Sequence, residues 1–469
     1  MDTSIAFPDT LGADPVGEDG AERSPDRSRS RALSAARVVL IASLFLGTLA
    51  FGGVPVWAWG VTSGLVTSAL FLWLWRGVRH GELRIVWTPL YLPAVAFLAI
   101  GLLQLSAHAT ADAIATRDSI VRFAIDIVIF FLALQLWDTR ALTASRRLAV
   151  AAAGFTWLVA LFAICQFFAS PDAIYGLLKP RWGGWVFGPY VNHNHYAGLM
   201  EMLIPIAVCF LLSMRAGPET RSARILTAFA GIVAVASLLL SGSRGGLLSL
   251  AAELGLMSLI VWRHLSGRKR AWFATAGLAA VGASVLLFSW LDSGQIMKRV
   301  SGIVDVTRAP DVSLHERRAL ASDTLHIFRE NAWLGTGLGS FATVYPRYRT
   351  FPSDLEWDHA HNDYLELMAE TGILGAVLTS AALALFAFLA FRNTRGRLRR
   401  SSGWISLGAA VGCFGLMVHG LADFNLHIPA NAAWFSFLAG LATSPIELPA
   451  TAGHAGIPRR PTHPSLDRA

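Results

Sequence analysis

Apolar runs long enough to cross a membrane recur along almost the whole chain and constrain its fold more than any other feature. A helix needs about 20 such residues to span a bilayer, and we count about twelve runs, the last one short. Hydrophobic residues make up 54% of the chain and charged residues 15%, too little polar surface for a soluble globule. The runs begin near Arg37, Val56, Val86, Ser119, Leu148, Tyr196, Ile225, Arg244, Trp272, Tyr364, Trp404 and Asn425. The sequence therefore predicts an all-α integral membrane protein.

Basic residues collect in alternate connections between these runs. Short cytoplasmic loops carry the excess of arginine and lysine in membrane proteins. The basic groups lie before the first run, near Arg79, Arg146, Arg221 and Arg268, and near Arg399. We therefore predict that both termini are cytoplasmic. The net charge of +8 follows from this topology, and no motif or aromatic-interleaved basic patch points to nucleic acid.

The chain divides into five predicted segments. Residues 1–34 and 445–469 are polar and are expected to be disordered cytoplasmic tails. Residues 35–291 hold spans one to nine, residues 292–362 form a large extracytoplasmic loop, and residues 363–444 hold spans ten to twelve. Loops longer than about 15 residues are usually functional or disordered. Aromatic side chains predict that this loop folds onto the membrane domain: Trp333, Phe341, Tyr345, Tyr348, Phe351 and Trp357.

The connections on the extracytoplasmic side hold side chains that enzymes use in their sites. The sixth span is preceded by Asn192-His193-Asn194-His195, and Arg244 lies in the turn between spans seven and eight. The long loop carries Arg317, Arg318 and a glycine-rich segment at Gly335–Gly339, and it ends in His361-Asn362. Because these groups share one face, we expect the chemistry to take place outside the cytoplasm.

Four of these motifs in series resemble the O-antigen ligase and polymerase family. They are the Gly188 to Gly198 stretch, Ser243-Arg244-Gly245, the segment from Arg317 to Phe341, and His361-Asn362 with Gly372-Ile373-Leu374-Gly375. The resemblance implies a GT-C-like membrane fold with a large periplasmic loop, and a glycan donor linked to polyprenyl diphosphate. It places Arg244, Arg317 and His361 on the family's essential positions. Arg318 adjoins Arg317, and a shift of one residue would exchange the two.

The chemistry of such a transfer calls for the same residue types. The leaving diphosphate develops negative charge, which the planar, permanently charged guanidinium of arginine neutralises through bidentate hydrogen bonds. The acceptor hydroxyl must lose a proton, and an unperturbed histidine, with a pKa of about 6.5, suits that task. We therefore predict that Arg244 and Arg317 bind the diphosphate and that His361 is the base. In-line attack would invert the anomeric centre without a metal or other cofactor.

Further side chains are predicted to bind substrate, and several other polar groups have simpler interpretations. The predicted binding residues are Arg318, Asn192, His193, His195, Asn362 and Glu370. Paired histidines around His195 and His359 could suggest zinc or copper, but we favour loop hydrogen bonds or glycan contacts and predict no metal. The Gly335–Gly339 segment lacks the lysine of a phosphate-binding loop, so we expect a turn that allows close backbone packing. Arg122 and Asp126 are spaced for an ion pair on one helix.

These features together predict an inverting, metal-independent glycosyltransferase of the bacterial plasma (inner) membrane. Its donor would be a glycan on polyprenyl (undecaprenyl) diphosphate, and its acceptor a hydroxyl of a glycan, of the lipid A core or of a protein. Ligase, polysaccharide polymerase and protein O-oligosaccharyltransferase activities stay open. A transporter or flippase for lipid-linked sugars is the alternative from another class, although polar groups gathered at one face and the lack of a repeat disfavour it. A scaffold would predict that Arg244→Ala leaves envelope glycans unchanged.

Overall fold

The computed structural model of the chain describes residues 4–5, 25–81, 83–137, 142–170, 172–180, 185–214, 217–262, 267, 270, 282, 314–353, 356–395, 398 and 401–444. Most of these residues are helical. The ninth predicted span, near Trp272, and the first third of the long loop lie outside them. The predicted tail at 445–469 lies outside them as well.

The described helices follow one another along the chain. In chain order they are α1 (Pro25–Leu49), α2 (Val56–Arg79), α3 (Tyr91–Ser106), α4 (Ala113–Leu136), α5 (Leu142–Ala169), α6 (His193–Ser213), α7 (Arg221–Ser241), α8 (Arg244–Trp262), α9 (Leu314–Glu330), α10 (Phe341–Val344), α11 (Asp363–Arg395), α12 (Ser401–His419) and α13 (Pro429–Thr443). A two-residue strand β1 (Ser4–Ile5) pairs antiparallel with β2 (Leu83–Arg84). Helix α1 begins at Pro25, inside the segment predicted to be disordered.

Eight helices of the described residues are long and apolar enough to cross a membrane: α1, α2, α4, α5, α6, α7, α8 and α11. The predicted third and eleventh spans correspond to shorter apolar helices, α3 and α12. The last predicted span corresponds to α13, which has 15 residues. The chain is thus an all-α, multi-pass membrane protein, and the total of twelve spans stays a prediction.

Helix α6 lies at the centre of the bundle. Its side chains are buried almost without interruption from His193 to Phe210, and it packs against α5, α7, α8, α12 and α13. A helix that is apolar on all sides is stable only when neighbours surround it. Because the buried stretch begins at its first residue, the histidines at the start of α6 lie inside the bundle and not on its surface.

Helix α11 is broken near its start, at Gly372, whose φ is +66°. The break frees the carbonyls of Ala369 and Glu370, which accept the N–H groups of Thr336 and Gly337, each at 3.0 Å. A Cβ at Gly372 would lie 2.4 Å from the carbonyl carbon of Trp333, so the position admits only glycine.

The glycine-rich segment of the long loop fits into this break. A Cβ at Gly335 would lie 2.2 Å from the carbonyl carbon of Glu370, and Gln104 of α3 donates to the carbonyls of Leu334 and Glu370 at 2.6 and 2.7 Å. The segment therefore joins the loop to the membrane domain through backbone contacts. This confirms the prediction of a close-packing turn.

The described part of the loop has its own small core. Leu320 and Ile327 of α9 pack with Phe341, Tyr345 and Trp357, among others. Of the aromatic side chains expected to hold the loop in place, five belong to this core or pack against it. Trp333 is the exception, because its side chain is 75% exposed.

Candidate functional site

His361 lies in the turn that leads into α11, with its backbone in the left-handed region at a φ of +49°. Such a conformation costs a residue other than glycine about 1 to 3 kcal/mol, so it persists only where the surroundings enforce it. The next residue, Asn362, caps α11: its Oδ1 accepts the N–H groups of Tyr364 and Leu365 at 3.1 and 3.0 Å. Its amide also donates to the carbonyl of Leu421 at 2.8 Å. The turn is thereby attached to the connection between α12 and α13.

Asp423, in that connection, is surrounded by three imidazoles. Its carboxylate lies 3.4 Å from Nδ1 of His361, 3.8 Å from Nε2 of His195 and 4.0 Å from Nε2 of His419. Asp423 is 1% exposed. Burial by itself raises the pKa of its carboxyl, but the adjacent His361 and the positive charges that the histidines can carry hold that pKa well below its usual range. Asp423 is therefore a fixed negative charge beside His361.

Asp423 is not among the residues that the sequence predicts for the site, and it lies in the short polar turn Asp423-Phe424-Asn425-Leu426-His427. The aspartate lies 62 residues after His361, a separation at which no local pattern predicts contact. The available signal was the concentration of polar residues in a short turn between two apolar spans. Phe424 completes the arrangement, because its ring lies 4.6 to 4.8 Å, edge to face, from the imidazoles of His195 and His361.

A second cluster adjoins the first on the other side of Phe424. His359 Nδ1 lies 2.7 Å from Oε1 of Glu366, and His427 lies 3.3 Å from the same oxygen through Nε2. His427 Nδ1 lies 3.1 Å from Asp363. Burial alone lowers the pKa of His427, but Glu366 and Asp363 outweigh it and raise that pKa to about 10. A cationic His427 therefore lies between the carboxylates of Asp363 and Glu366 and pairs with both.

His359, Glu366 and His427 have the residue types of a metal site, and their ligand atoms lie within 4.8 Å of one another. Ligand atoms around tetrahedral zinc are roughly 3.3 Å apart, given bonds of about 2.0 Å. The 2.7 Å between His359 and Glu366 is instead a hydrogen-bond distance. The geometry therefore fits a hydrogen-bonded network better than an ion. The expectation of no metal stays a prediction.

Two arginines of the predicted site lie near the connection between α12 and α13. Arg317 contacts it with its own side chain, and Arg244 precedes a glycine that packs against His419. Arg317, at the start of α9, donates from its guanidinium to the carbonyl of Ala422, which directly precedes Asp423. Arg244 is the first residue of α8, and a Cβ on the following Gly245 would lie 2.5 Å from the His419 ring. Arg318 is exposed, whereas Arg317 is half-buried. Of the two adjacent arginines, Arg317 is thus the one that contacts the turn.

The remaining residues predicted to bind substrate all have contacts within the protein. His195 faces Asp423, as described above, and Asn192 caps α6 by accepting the N–H of Asn194 at 2.8 Å. His193 is buried against the ring of Trp185, 4.4 Å away. Glu370 accepts the N–H of Phe341 at 3.0 Å and thereby fastens the loop to α11, but it also lines a cavity. Asn192, His193 and Asn362 therefore have structural contacts, and their roles in substrate binding stay predictions.

Buried groups extend the polar network into the membrane domain. His419 Nδ1 lies 2.9 Å from Oε1 of Glu201 on α6, and both side chains are at most 1% exposed. Gly246 and Gly198 allow the close approach of the surrounding helices, because a Cβ on either would contact neighbouring side chains at 2.8 Å or less. The imidazole of His419 therefore links a buried acid of α6 to Asp423.

Two apolar cavities reach the second cluster from within the membrane domain. One, of about 260 Å³, lies between α1, α2, α4 and α13 and is also lined by Asp363, Glu370 and His427. The other, of about 280 Å³, runs along α3, α4 and α11 from Asp363 to Phe386. Asp126 of α4 lines both cavities. Arg122 lines the first and pairs with Asp118 at 2.9 Å, so the predicted pair with Asp126 is wrong.

Comparison with known families agrees with the motifs. Residues 229–380 of the chain match the family model described as O-Antigen ligase. This stretch contains Arg244, Arg317 and His361, and the match confirms the resemblance predicted from the sequence. No curated protein matches the chain.

Proposed function

We propose that this chain, whose residues 229–380 match the O-antigen ligase family, transfers a glycan from a polyprenyl diphosphate carrier to an acceptor hydroxyl at the extracytoplasmic face of the plasma membrane. The observation that carries the proposal is the convergence of His361, Asp423 and Arg317 on one turn, with the start of α8 beside it. A base, a carboxylate that stabilises its protonated form and arginines for a diphosphate are the groups that the reaction requires.

Arg244 and Arg317 bind the donor diphosphate in this proposal. As the bond between the anomeric carbon and the diphosphate oxygen breaks, the bonding electrons remain on the diphosphate, and its negative charge increases. Two guanidinium groups neutralise that increase without deprotonating, since the pKa of arginine exceeds 12. Arg317 is half-buried against the turn that contains Asp423, so solvent screens its charge less than in water. Arg244 is exposed at the start of α8.

His361 accepts the proton of the acceptor hydroxyl as its oxygen attacks the anomeric carbon. The Nδ1 atom of His361 faces Asp423 at 3.4 Å, which leaves Nε2 for the acceptor. The imidazolium that forms is stabilised by the buried carboxylate, as in other catalytic pairs of histidine and aspartate. Attack opposite to the leaving diphosphate inverts the anomeric centre. Each step uses side chains of this protein alone, so we propose a metal-independent transfer.

In this proposal the part of the polyprenyl tail next to the diphosphate occupies the apolar cavities of the membrane domain. The longer cavity extends from Asp363 along α11 to Phe386, parallel to membrane-spanning helices and lined by apolar side chains. A tail bound there would leave the diphosphate at the level of the histidine clusters. The glycan and the acceptor would then lie on the side of the long loop.

Three acceptors agree with this site. A sugar of the lipid A core would make the protein an O-antigen ligase, the glycan of a second carrier would make it a polymerase, and a protein hydroxyl would make it an O-oligosaccharyltransferase. Mass spectrometry of surface glycans from a deletion strain separates these activities. Unattached long chains indicate the ligase, single repeat units the polymerase, and an unglycosylated protein the third activity.

A transfer reaction with purified protein tests the proposal. The protein in detergent is incubated with undecaprenyl diphosphate glycan and candidate acceptors, without nucleotide, metal or gradient. We expect a glycoside of inverted anomeric configuration from the wild type and none from His361→Ala, with both proteins at equal amounts. Movement of the lipid-linked glycan across proteoliposomes without glycoside formation would instead support the transporter.

A further inference from the structure

We propose that Glu366 is a positioning residue that holds His361 in its working orientation. The inference rests on the proposed function, in which His361 is the base. Glu366 itself does not touch the reacting atoms in this assignment. It acts through the two residues that precede His361.

Both carboxylate oxygens of Glu366 bind the turn before His361. Oε1 lies 2.7 Å from Nδ1 of His359, and Oε2 accepts the backbone N–H of Ala360 at 2.7 Å. The backbone N–H of Glu366 donates to the carbonyl of Asn362 at 3.0 Å. Glu366 therefore connects the first turn of α11 to the residues on both sides of His361, and its side chain is only 1% exposed.

The conformation of His361 explains why such a connection is needed. Its φ of +49° is one that residues other than glycine rarely adopt, so the turn would relax if its neighbours were free to move. The ring of His361 packs edge to face against Trp357 and Phe424, but these contacts do not fix the backbone. The bonds from Glu366 fix the residue immediately before His361.

His427 holds Glu366 in turn. It lies between Glu366 and Asp363, at 3.3 and 3.1 Å, and its ring is 4.6 Å from that of His359. The buried carboxylate therefore has an imidazole on each side and a backbone N–H on its second oxygen. This arrangement joins the connection between α12 and α13, where Asp423 lies, to the turn that carries His361.

The variant Glu366→Gln tests the proposal, because a glutamine amide can offer an oxygen to only one of the two donors and turns an N–H towards the other. We expect kcat to fall by about 100-fold, the loss typical of a displacement of about 1 Å, while the KM for the donor stays within about threefold. Hydrogen exchange at the amide of Ala360 should quicken by at least about tenfold, because its acceptor is weakened. Glu253→Gln is the matched control, since Glu253 is a buried acid of α8 whose carboxylate lies against Gly415 of α12.

His359→Ala provides a second test if the glutamine variant does not accumulate, because His359 is partly exposed. It removes one of the two bonds and should lower kcat by about tenfold and quicken exchange at Ala360. Wild-type values of kcat, or of exchange at Ala360, in both variants would overturn the proposal. So would one zinc ion per chain in the purified wild type that is lost in Glu366→Gln, because the carboxylate would then be a ligand. If the wild type transfers no glycan, the proposed function fails. The exchange at Ala360 then still tests whether Glu366 holds the turn before His361.

Discussion

Replacing Asp423 by asparagine should slow the transfer without weakening donor binding. Asparagine keeps the size of the side chain and removes only its charge. In the proposed mechanism that charge stabilises the imidazolium of His361, which forms as the acceptor hydroxyl is deprotonated. The diphosphate is bound by arginines, so its affinity depends little on the aspartate.

The distance between the two groups gives the magnitude. At 3.4 Å and an effective dielectric constant of about 20, a full charge on each group corresponds to about 5 kcal/mol. The side chain of His361 is 17% exposed, so solvent screens part of this interaction. We therefore expect a loss of about 3 kcal/mol in the transition state, which lowers kcat by about 100-fold.

Single-turnover kinetics with purified protein measures this effect directly. The rate of glycoside formation is compared between the wild type, Asp423→Asn and the control Glu253→Gln, each over a range of donor concentrations up to saturation. A kcat for Asp423→Asn within about threefold of the wild type would refute the role of Asp423, because such a difference is below 1 kcal/mol. A large rise in the donor KM instead of a fall in kcat would place the aspartate in substrate binding.

Three further predictions follow from other parts of the structure. Arg317→Ala should lower kcat/KM for the donor by about 100-fold and Arg318→Ala by less than about threefold, because only Arg317 contacts the turn; equal losses in the kinetics would contradict this difference. Gly372→Ala should destabilise the protein by about 3 kcal/mol or prevent its accumulation. Gly255→Ala, whose added Cβ has no atom within 4 Å, should be neutral or stabilising. Thermal unfolding in detergent distinguishes the two variants. The pKa of about 10 for His427 is above its ordinary value, so the stability it contributes is complete below about pH 6.5 and is lost as pH rises through 10. Thermal stability between pH 7 and 10 should therefore fall more in the wild type than in His427→Gln, and parallel curves would contradict the pairing.

The membrane class of the fold and part of the site could be predicted from the sequence. Apolar runs report directly on spans because the bilayer imposes both length and composition. The motifs that contain Arg317 and His361 could be identified in the sequence. In the structure both contact the connection between α12 and α13, Arg317 through Ala422 and the residue after His361 through Leu421. His195 faces the same carboxylate as His361, and its predicted role in substrate binding stays a prediction.

The rest of the site depends on contacts between distant parts of the chain. In the sequence Asp423 and His427 are ordinary polar residues of an outer turn. Only the packing of α12 and α13 against α11 brings Asp423 next to His361 and His427 next to Asp363. Asp363 and Glu366 follow the pattern of acids in the first turn of a helix, which stabilise the helix dipole in most proteins. The break at Gly372 lies inside the predicted tenth span and could not be predicted, because the loop backbone that fills it comes from a distant part of the sequence.

Chemical rescue at position 361 tests the central claim most directly. Glycine accepts the φ of +49° without strain, so His361→Gly should keep the turn and leave space for an added imidazole. We predict that this variant forms almost no glycoside and that free imidazole restores the rate in proportion to its unprotonated fraction. A wild-type rate in the absence of imidazole would show that His361 is not the base.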